Sequence, residues 1–549
     1  MPTTPHAWVA PLAGRATDAA SAEALAHGIG ARLDAIPQGR AGPLGATQAA
    51  LELGGFPVPA PHVGPQVPLA VALQMLYDAE GVAVPRERIA SAVAGVPAEL
   101  RAPLADLVAT VARAHAEASR ILPADDIKLL AGDLTLTTRL ASLGTTSGDA
   151  RVAALWDARA AALSRVDRAA LAQASVDVAA AVARFDAPAR AASATTCDKI
   201  LSLPLVEVGD ACDDTYDALD LVTVDLGGND VYLNGAGSGV AGAGVGVALD
   251  LGEGNDTYRS ASFAQGFGLA GVGLLYDEGG SDVYSAMAFA QGSSTAGAGI
   301  LYDAGAGNDQ YLTDLVENST LTKAATLGGV GVLVDEGGDD VYQQGGLDGF
   351  DYGAAGGVAL LVDEAGDDQY LSPDLHVFLD TGTGIAQDFG MMTGPVQVSS
   401  EVGGTSILDD RAGDDLYQCG DHVRQGCQAS AGLGSFALLL DRAGNDQYRM
   451  GVEVERSEIA GIGRLSMGQG GSYGQATPPA PATAILDDRA GDDVYHAEMW
   501  AQGYGSGSLG ALVDEGGHDA YETVAPLVGS RVDGASWADG AGGAGADLS

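Results

Sequence analysis

Residues 271–284 read Gly-Val-Gly-Leu-Leu-Tyr-Asp-Glu-Gly-Gly-Ser-Asp-Val-Tyr: a short apolar run, an aspartate, a glycine turn and then Asp-x-Tyr. This phrase occurs ten times in register, after a partial copy at Asp214-Thr215-Tyr216. Successive tyrosines are 26 to 31 residues apart, except at two places where the spacing is 47. The ten copies end at Tyr232, Tyr258, Tyr284, Tyr311, Tyr342, Tyr370, Tyr417, Tyr448, Tyr495 and Tyr521. Repetition at this period predicts units that bury their apolar faces only by stacking on their neighbours.

Each repeat contains three β-like pieces separated by glycine-rich corners. Asp-x-Tyr opens the first piece, Ala-Gln-Gly-x-Gly lies in the second, and Gly-x-Gly-Val/Leu-Leu-x-Asp forms the third. We therefore predict a mainly β protein with a parallel β-solenoid of about ten coils over residues 201–525, each coil about 26 residues long. Stacking at the β spacing of ~4.8 Å would make a rod of about 50 Å and bring Tyr232, Tyr258 and Tyr284 into register.

Residues 1–200 have a different character, because they are rich in Ala, Leu and Arg with helical apolar spacing. They predict an α-helical domain without a catalytic signature. We expect this domain, with residues 200–220, to cap one end of the solenoid, and residues 526–549 to form a cap or tail at the other. The candidate helices are 17–35, 67–80, 85–95, 97–121, 149–164 and 166–186.

The net charge also divides the chain near residue 200. The chain has 549 residues with 27 basic and 73 acidic side chains, a net charge of −46, of which −44 lies in residues 201–549. Such an acidic surface excludes nucleic acid and anionic membranes as electrostatic partners. The sequence contains neither a long apolar run that would span a membrane nor a basic-then-apolar signal peptide at its start.

Each repeat also carries two aspartates five or six residues apart at one corner. Stacked like charges at ~5 Å would repel by about 3–4 kcal/mol per pair at an effective dielectric of 20. Because Lys and Arg are scarce, a hard divalent cation held by carboxylates is the predicted counter-charge, and we expect Ca²⁺. The alternative is that the aspartates form Asx-turns without metal. The predicted ligands are the second aspartates of the pairs: Asp230, Asp256, Asp282, Asp309, Asp340, Asp368, Asp415, Asp446, Asp493 and Asp519.

The turns Gly252-Glu253-Gly254-Asn255-Asp256-Thr257-Tyr258 and Gly305-Ala306-Gly307-Asn308-Asp309-Gln310-Tyr311 resemble the nonapeptide of haemolysin-type (RTX) calcium-binding repeats. The resemblance implies that Asp256 and Asp309 bind calcium between coils, while Tyr258 and Tyr311 face the core. The family repeats every nine residues, whereas this chain has one such turn per coil, so a β-roll is not implied.

Four cysteines fall into two close pairs, Cys197 with Cys212 and Cys419 with Cys427. Even, close pairing without Cys-x-x-Cys favours two disulfides over a metal site, and four free thiols are the alternative. Disulfides together with calcium predict an extracellular or cell-surface location. RTX-like proteins often leave the cell without an N-terminal signal, which would suit this N-terminus.

Two coils carry long insertions, residues 371–406 and 449–484, where a repeat protein often places its function. The leading hypothesis is a structural, adhesive or assembly-forming surface protein with a calcium-stabilised solenoid and no catalytic residues. The alternative is a carbohydrate-active or glycan-binding β-helix protein whose site lies in those two loops. Calcium, and either a glycan or a self-assembly partner, are the expected partners.

Overall fold

The computed structural model describes residues 8–132, 150–185, 197, 199–240, 244–313, 321–344, 350–372, 397–419, 425–450, 466–473, 475–476, 479–497, 501–523 and 543–548. Within these ranges the N-terminal region is α-helical and the remainder is a parallel β-solenoid. The helices end at Ala183, and the first strand begins at Leu201.

The described N-terminal residues form eight α-helices, six of which match predicted segments. The helices that begin at Gly42 and Ala124 were missed, because Gly and Pro open the first and the second is only 8 residues long. Asp18 begins α1 by accepting a hydrogen bond from the Ser21 N–H in a capping box. The helices are α1 (Ala19–Leu33), α2 (Gly42–Leu53), α3 (Leu69–Glu80), α4 (Arg86–Gly95), α5 (Ala98–Ala118), α6 (Ala124–Ala131), α7 (Ala150–Leu163) and α8 (Arg168–Ala183).

Strands, numbered along the chain, stack in three columns. The tyrosine sheet contains β3 (Thr215–Tyr216), β5 (Val231–Tyr232), β7 (Thr257–Ser262), β10 (Val283–Ala288), β13 (Gln310–Thr313), β16 (Val341–Gln343), β19 (Gln369–Ser372), β22 (Leu416–Cys419), β26 (Gln447–Met450), β32 (Val494–Ala497) and β34 (Ala520–Thr523). The leucine sheet contains β2 (Val206–Val208), β4 (Val222–Val224), β6 (Val245–Leu249), β9 (Val272–Asp277), β12 (Ala298–Asp303), β15 (Val330–Asp335), β18 (Val358–Asp363), β21 (Thr405–Asp410), β25 (Phe436–Asp441), β31 (Thr483–Asp488), β33 (Gly505–Asp514) and β35 (Gly543–Leu548).

The third column consists of short strands at the remaining corner: β8 (Gly268–Leu269), β11 (Ser294–Thr295), β14 (Thr326–Leu327), β17 (Phe350–Ala354), β20 (Gln397–Glu401), β24 (Ser430–Ala431) and β28 (Gly471–Tyr473). Three smaller pairings involve β1 (Leu201–Leu203) with β2, β23 (Gln425–Cys427) with β27 (Ser466–Gly468), and β29 (Gln475–Ala476) with β30 (Pro479–Ala480). The columns themselves pair in parallel, as the repeat predicts.

The solenoid has about eight full turns, so the predicted count of ten coils is slightly too high. In eight turns the strand of the leucine sheet is at least six residues long, from β9 to β33. The first two copies of the motif have shorter strands in the leucine sheet: β4 has three residues and β6 has five. Counting motif copies therefore overestimates the number of complete turns.

Stacking is in register along the rod. Tyr232 pairs with Tyr258, and Tyr258 with Tyr284. Their ring centroids are 4.5 and 4.7 Å apart, which confirms the predicted stack. Face-to-face neighbours at this offset contribute about 0.5–1.5 kcal/mol each beyond the area they bury. Inside the rod the tyrosines pack against a leucine column formed by Leu275, Leu301, Leu333, Leu361, Leu408, Leu439, Leu486 and Leu512.

The outer face of the leucine sheet is apolar as well, and the helices cover it. Val272, Leu274 and Tyr276 of β9 belong to one hydrophobic core with the helical region. Along the rod, α8 contacts β9, α2 contacts β12, β15 and β18, and α1 contacts β25, β31 and β33. The expectation that the helices cap an end is therefore wrong, because an apolar outer face requires cover along its whole length.

The N-terminal end of the solenoid is closed mainly by residues of the segment 200–220, the part of the predicted cap that does lie at this end. β1 runs antiparallel to β2, so the parallel stacking stops at this hairpin. The Lys199 ammonium lies 4.1 Å from the centre of the Tyr216 ring, which is the first ring of the tyrosine stack. A disulfide joins Cys197 to Cys212 beside it. These features protect an edge that would otherwise pair with another chain.

Candidate metal centre

The paired aspartates lie at the corner between the leucine and tyrosine sheets. Each strand of the leucine sheet from β9 to β33 ends in the first aspartate of a pair, a glycine turn follows, and the second aspartate immediately precedes the next strand of the tyrosine sheet. Parallel stacking thus places both aspartates in columns along the rod. Asp303 is fully buried and Asp309 is 1 % exposed, although neither has an apolar side chain.

The first aspartates act as turn residues and as acceptors for the tyrosine stack. Asp303 is typical: its Oδ1 accepts a hydrogen bond from the Gly305 N–H at 3.0 Å, which is an Asx-turn. Its Oδ2 accepts hydrogen bonds from the Tyr284 hydroxyl at 2.7 Å and the Tyr311 hydroxyl at 3.4 Å. The tyrosines therefore supply buried hydroxyl donors as well as apolar area. The sequence signal for this contact is the spacing of seven or eight residues between each first aspartate and the tyrosine that follows it.

The second aspartates form a ladder between coils through one oxygen only. The Asp282 N–H donates to Asp309 Oδ1 at 2.5 Å, and the Asp309 N–H donates to Asp340 Oδ1 at 2.5 Å. The other carboxylate oxygen, Oδ2, is buried and has no hydrogen-bond partner within the described structure at nine successive positions. These positions are Asp230, Asp256, Asp282, Asp309, Asp340, Asp368, Asp415, Asp446 and Asp493. Buried acceptors without partners are rare in folded proteins, so a whole row needs an explanation.

The tenth predicted ligand, Asp519, lies in the last described coil. Its Oδ1 accepts the Asp493 N–H at 3.0 Å, which continues the ladder. Asp519 is only partly buried, because β34 is the last strand of the tyrosine sheet.

Carboxylate oxygens from neighbouring coils converge in groups of three. Asp303, Asp309 and Asp335 each offer one oxygen, and these three oxygens lie within 4.8 Å of one another. Each group contains the first and second aspartates of one coil and the first aspartate of the next coil. Three other groups of this composition are Asp225/Asp230/Asp250, Asp250/Asp256/Asp277 and Asp277/Asp282/Asp303. Ten pairs define nine such gaps along the rod, which equals the number of unpartnered Oδ2 atoms.

The electrostatics of this corner are unfavourable without a counter-charge. Burial, followed by the charge of Asp250, raises the pKa of Asp256, and burial with the charge of Asp303 does the same for Asp309. Burial also raises the pKa of the first aspartates, Asp335 among them. Among the described residues, no Lys, Arg or His forms an ion pair with these carboxylates. Protons or cations must therefore neutralise two carboxylates per coil.

A second, exposed ladder runs beside the buried one. Asn308 Oδ1 accepts the Asp339 N–H at 3.1 Å, and Asp339 Oδ1 accepts the Asp367 N–H at 3.1 Å. These side chains are exposed and vary along the rod among Asn, Asp, Ser and His. The two ladders cannot be told apart from the sequence, because their residues are adjacent in every turn.

A buried glutamine row marks the Ala-Gln-Gly corner. Gln291 has a positive φ of 54° and donates from Nε2 to the carbonyl oxygens of Tyr284 and Leu312 at 2.9 and 3.1 Å. Gln265 makes the same contacts one coil earlier, to Tyr258 and Ser285. The row ties the corner to the tyrosine sheet, a role that spacing alone had not indicated.

The remaining predicted features have mixed outcomes. Both disulfides, Cys197–Cys212 and Cys419–Cys427, are present, and the described residues contain no free cysteine. Residues 373–396 and 451–465, the bulk of the two insertions considered for a carbohydrate site, lie outside the described residues. Of the helices that are described, none combines the length and apolar character needed to cross a membrane.

Comparison with known protein families finds no match, and neither curated proteins nor solved structures include a significantly similar chain.

Proposed function

We propose that this protein is an extracellular or cell-surface structural repeat protein whose β-solenoid is held together by a row of calcium ions between its coils. Each ion would contact the first and second aspartates of one coil and the first aspartate of the next. In this role the rod is a stiff scaffold, used for adhesion or assembly, and the chain needs no catalytic group. The observation that carries the proposal is the row of nine buried carboxylate oxygens without partners.

Comparison of the two ladders supports a cation over simple turn chemistry. In the exposed ladder, the Oδ1 atoms of Asn229, Asn255 and Asn308 each accept a hydrogen bond from a backbone N–H of the next coil, as Oδ1 of Asp339 does. An amide oxygen is therefore sufficient for the ladder. The buried column nevertheless has Asp at all ten positions within this chain. What Asp provides and Asn lacks is a second acceptor oxygen and a negative charge, which are the properties a hard cation requires.

Charge balance favours a divalent ion. Each coil contributes two buried carboxylates, so one divalent cation per coil neutralises them, whereas one monovalent cation leaves a net negative charge. Oxygen donors without nitrogen or sulfur select Ca²⁺ or Mg²⁺. Calcium fits better, because Mg²⁺ loses its water reluctantly and the groups are buried on all sides.

The location rests on two supports. The two disulfides are stable in oxidising compartments, outside the reducing cytosol. A row of weak calcium sites also fills most readily where calcium is plentiful, as at the cell exterior.

The test compares two adjacent substitutions in the full-length protein. Asp340→Asn removes the unpartnered Oδ2 and its charge but keeps Oδ1 for the Asp309 N–H. Asp339→Asn, the matched control, removes a charge from the exposed ladder and keeps the acceptor for the Asp367 N–H. Thermal unfolding is followed by circular dichroism in calcium and in EDTA, and bound calcium is counted by equilibrium dialysis.

We expect about nine calcium ions per wild-type chain, the nine gaps each holding one. A hundredfold excess of calcium over Kd stabilises the fold by about 2.7 kcal/mol per independent site, so calcium should raise the midpoint by many degrees. Asp340→Asn should lower the midpoint in calcium and, because it removes a buried charge, should not lower it in EDTA, whereas Asp339→Asn should change neither midpoint. Identical melting in calcium and EDTA, or an equal effect of Asp340→Asn in both buffers, would show that the aspartates only form turns.

A further inference from the structure

A second group of metal-binding side chains lies on the helical side of the leucine sheet, where Glu515 follows the row residue Asp514 in sequence. Glu23 and His27 are one helical turn apart on α1, so they share a face. Glu515 follows β33 of the leucine sheet and comes to the same place, with its Oε1 2.6 Å from His27 Nε2. One ligand atom from each of the three residues lies within 4.8 Å of the other two. Residues from opposite ends of the sequence thus converge on one point.

A fourth carboxylate near this group has one oxygen without a partner. Asp487 of β31 pairs in the sheet with Val513, two residues before Glu515, and is fully buried. Its Oδ2 accepts from Arg489 Nε at 3.3 Å, whereas its Oδ1 has no hydrogen-bond partner among the described residues. The charges of Arg489, Glu515 and His27 all act on Asp487. Asp487 therefore shares the electrostatic environment of the convergent group.

The charges at this place do not balance. Glu23, Glu515 and Asp487 supply three negative charges and Arg489 supplies one positive charge. With a neutral His27, the local charge is −2. A protonated His27 would leave −1, whereas a divalent cation brings the group to neutrality and leaves the imidazole neutral for coordination.

We propose that Glu23, His27 and Glu515 form a transition-metal site, suited to Zn²⁺, that fastens α1 to the last turn of the solenoid. One imidazole nitrogen and two carboxylates are donors that zinc binds and that calcium does not prefer. His27 and Glu515 keep 44 % and 30 % of their side-chain surface exposed, so a water molecule can complete a tetrahedral set. This site is independent of the aspartate row, which contains oxygen donors only.

The consequence is a link between the first helix and the end of the chain. α1 already contacts β31 and β33 through apolar packing, and a shared zinc ion would add bonds that break only when the contact opens. A ligand that binds only the closed arrangement stabilises it in proportion to the logarithm of its concentration over Kd. Zinc should therefore slow the opening of α1 from the solenoid.

The test uses full-length protein saturated with calcium, so that the aspartate row is filled and does not compete for zinc. Zn²⁺ is titrated against a chromophoric chelator with wild type, His27→Ala, Glu515→Gln and the control His62→Ala. His62 also pairs with a carboxylate, that of Asp177, at 3.0 Å. Amide hydrogen exchange across α1 is measured with and without zinc.

We expect wild type and His62→Ala to bind one zinc equivalent that His27→Ala loses and that Glu515→Gln binds at least tenfold more weakly. Zinc should slow exchange in α1 in wild type and not in His27→Ala. The proposal fails if wild type and His27→Ala bind the same number of equivalents, or if zinc slows exchange equally in both. Both results are differences between wild type and His27→Ala, so zinc that binds the aspartate row, which the two proteins share, does not affect them.

Discussion

Without divalent cations, raising the pH should destabilise the solenoid. The buried aspartates have folded-state pKa values above the 3.8 of an exposed aspartate, because burial and neighbouring carboxylates oppose ionisation. A group of this kind stabilises the folded state below its unfolded pKa, and that stability is lost as pH rises through its folded pKa. The stability of the protein in EDTA should therefore decrease across neutral pH, where most proteins are near their maximum stability.

The size of the effect follows from one residue. Burial raises the pKa of Asp340 from 3.8 to about 7. At 1.36 kcal/mol per pKa unit, this residue alone loses about 4 kcal/mol of folding free energy when the pH rises from about 4 to about 8. Coupling along the column makes the sum over the row smaller than nine times this value, but even a few such residues exceed the stability of a typical domain.

The assay is urea unfolding followed by far-ultraviolet circular dichroism between about pH 5 and pH 8, in EDTA and in calcium. In EDTA the midpoint should fall steeply with pH, whereas in calcium the ions replace the protons of the row and the midpoint should fall much less. Asp126 contributes with the opposite sign, because its hydrogen bond to Arg165 lowers its pKa, but its effect is confined to pH below about 4.

Asp351 provides an internal control for this measurement. It is fully buried outside the aspartate columns, and burial raises its pKa to about 7. Its contribution falls with pH in both buffers, and Asp351→Asn should remove that common part. Two results would contradict the prediction that the aspartate row titrates: a urea midpoint in EDTA that does not change with pH, or a midpoint that falls with pH as much in calcium as in EDTA.

Two further predictions concern the packing. Tyr311→Phe removes the hydroxyl that donates to Asp335 Oδ2 at 2.6 Å. It should lower the free energy of unfolding by about 1–3 kcal/mol in both buffers, measured by urea unfolding. The hydroxyl of Tyr302 contacts Glu336 beneath the helices, so Tyr302→Phe should leave calcium affinity unchanged. Deleting residues 1–200 exposes the outer face of the leucine sheet, including Val272 and Leu274, so the truncated chain should aggregate in size-exclusion chromatography, and a monomeric, fully folded product would contradict the shared core.

Much of the solenoid could be predicted because each repeat carries the same strand and turn signals. The Asp-x-Tyr register predicts the tyrosine stack, and the glycine corners predict where strands end. The number of full turns could not be obtained in this way, because the motif at Asp225 and Asp230 is complete in sequence while its strands β4 and β5 are short. Strand length at an end depends on the neighbouring coil, which no single repeat contains.

The position of the helices was misjudged although a signal existed. Val-Gly-Leu-Leu-Tyr-Asp at 272–277 is apolar at nearly every position, without the alternation of a strand that has one face in water. Such a run indicates a strand that is buried on both faces. The outer face therefore needed a partner, and the only apolar candidate in the chain was the helical region. The unpartnered Oδ2 atoms could not be predicted, because they depend on which oxygen the ladder uses.

Polar contacts then fix where along the rod the helices lie. The position after each first aspartate is acidic at Glu278, Glu336 and Glu364, basic at Arg411, Arg442 and Arg489, and acidic again at Glu515. The segment from His27 to Arg40 matches this order: Arg40 pairs with Glu278, the Gly39 N–H with Glu336, Gln38 with Glu364, Asp34 with Arg442, and His27 with Glu515.

A shift of this segment by one coil would place Arg40 opposite Leu251 or Ala304 and would separate His27 from Glu515. Each partly exposed pair contributes only about 0.2–1 kcal/mol, so the apolar contacts supply most of the binding energy. The side chains on the outer face also differ from coil to coil, because the position aligned with Tyr302 is occupied in the following coils by Val334, Val362, Asp409, Leu440, Asp487 and Val513. Side-chain size and the order of charges therefore specify the register together.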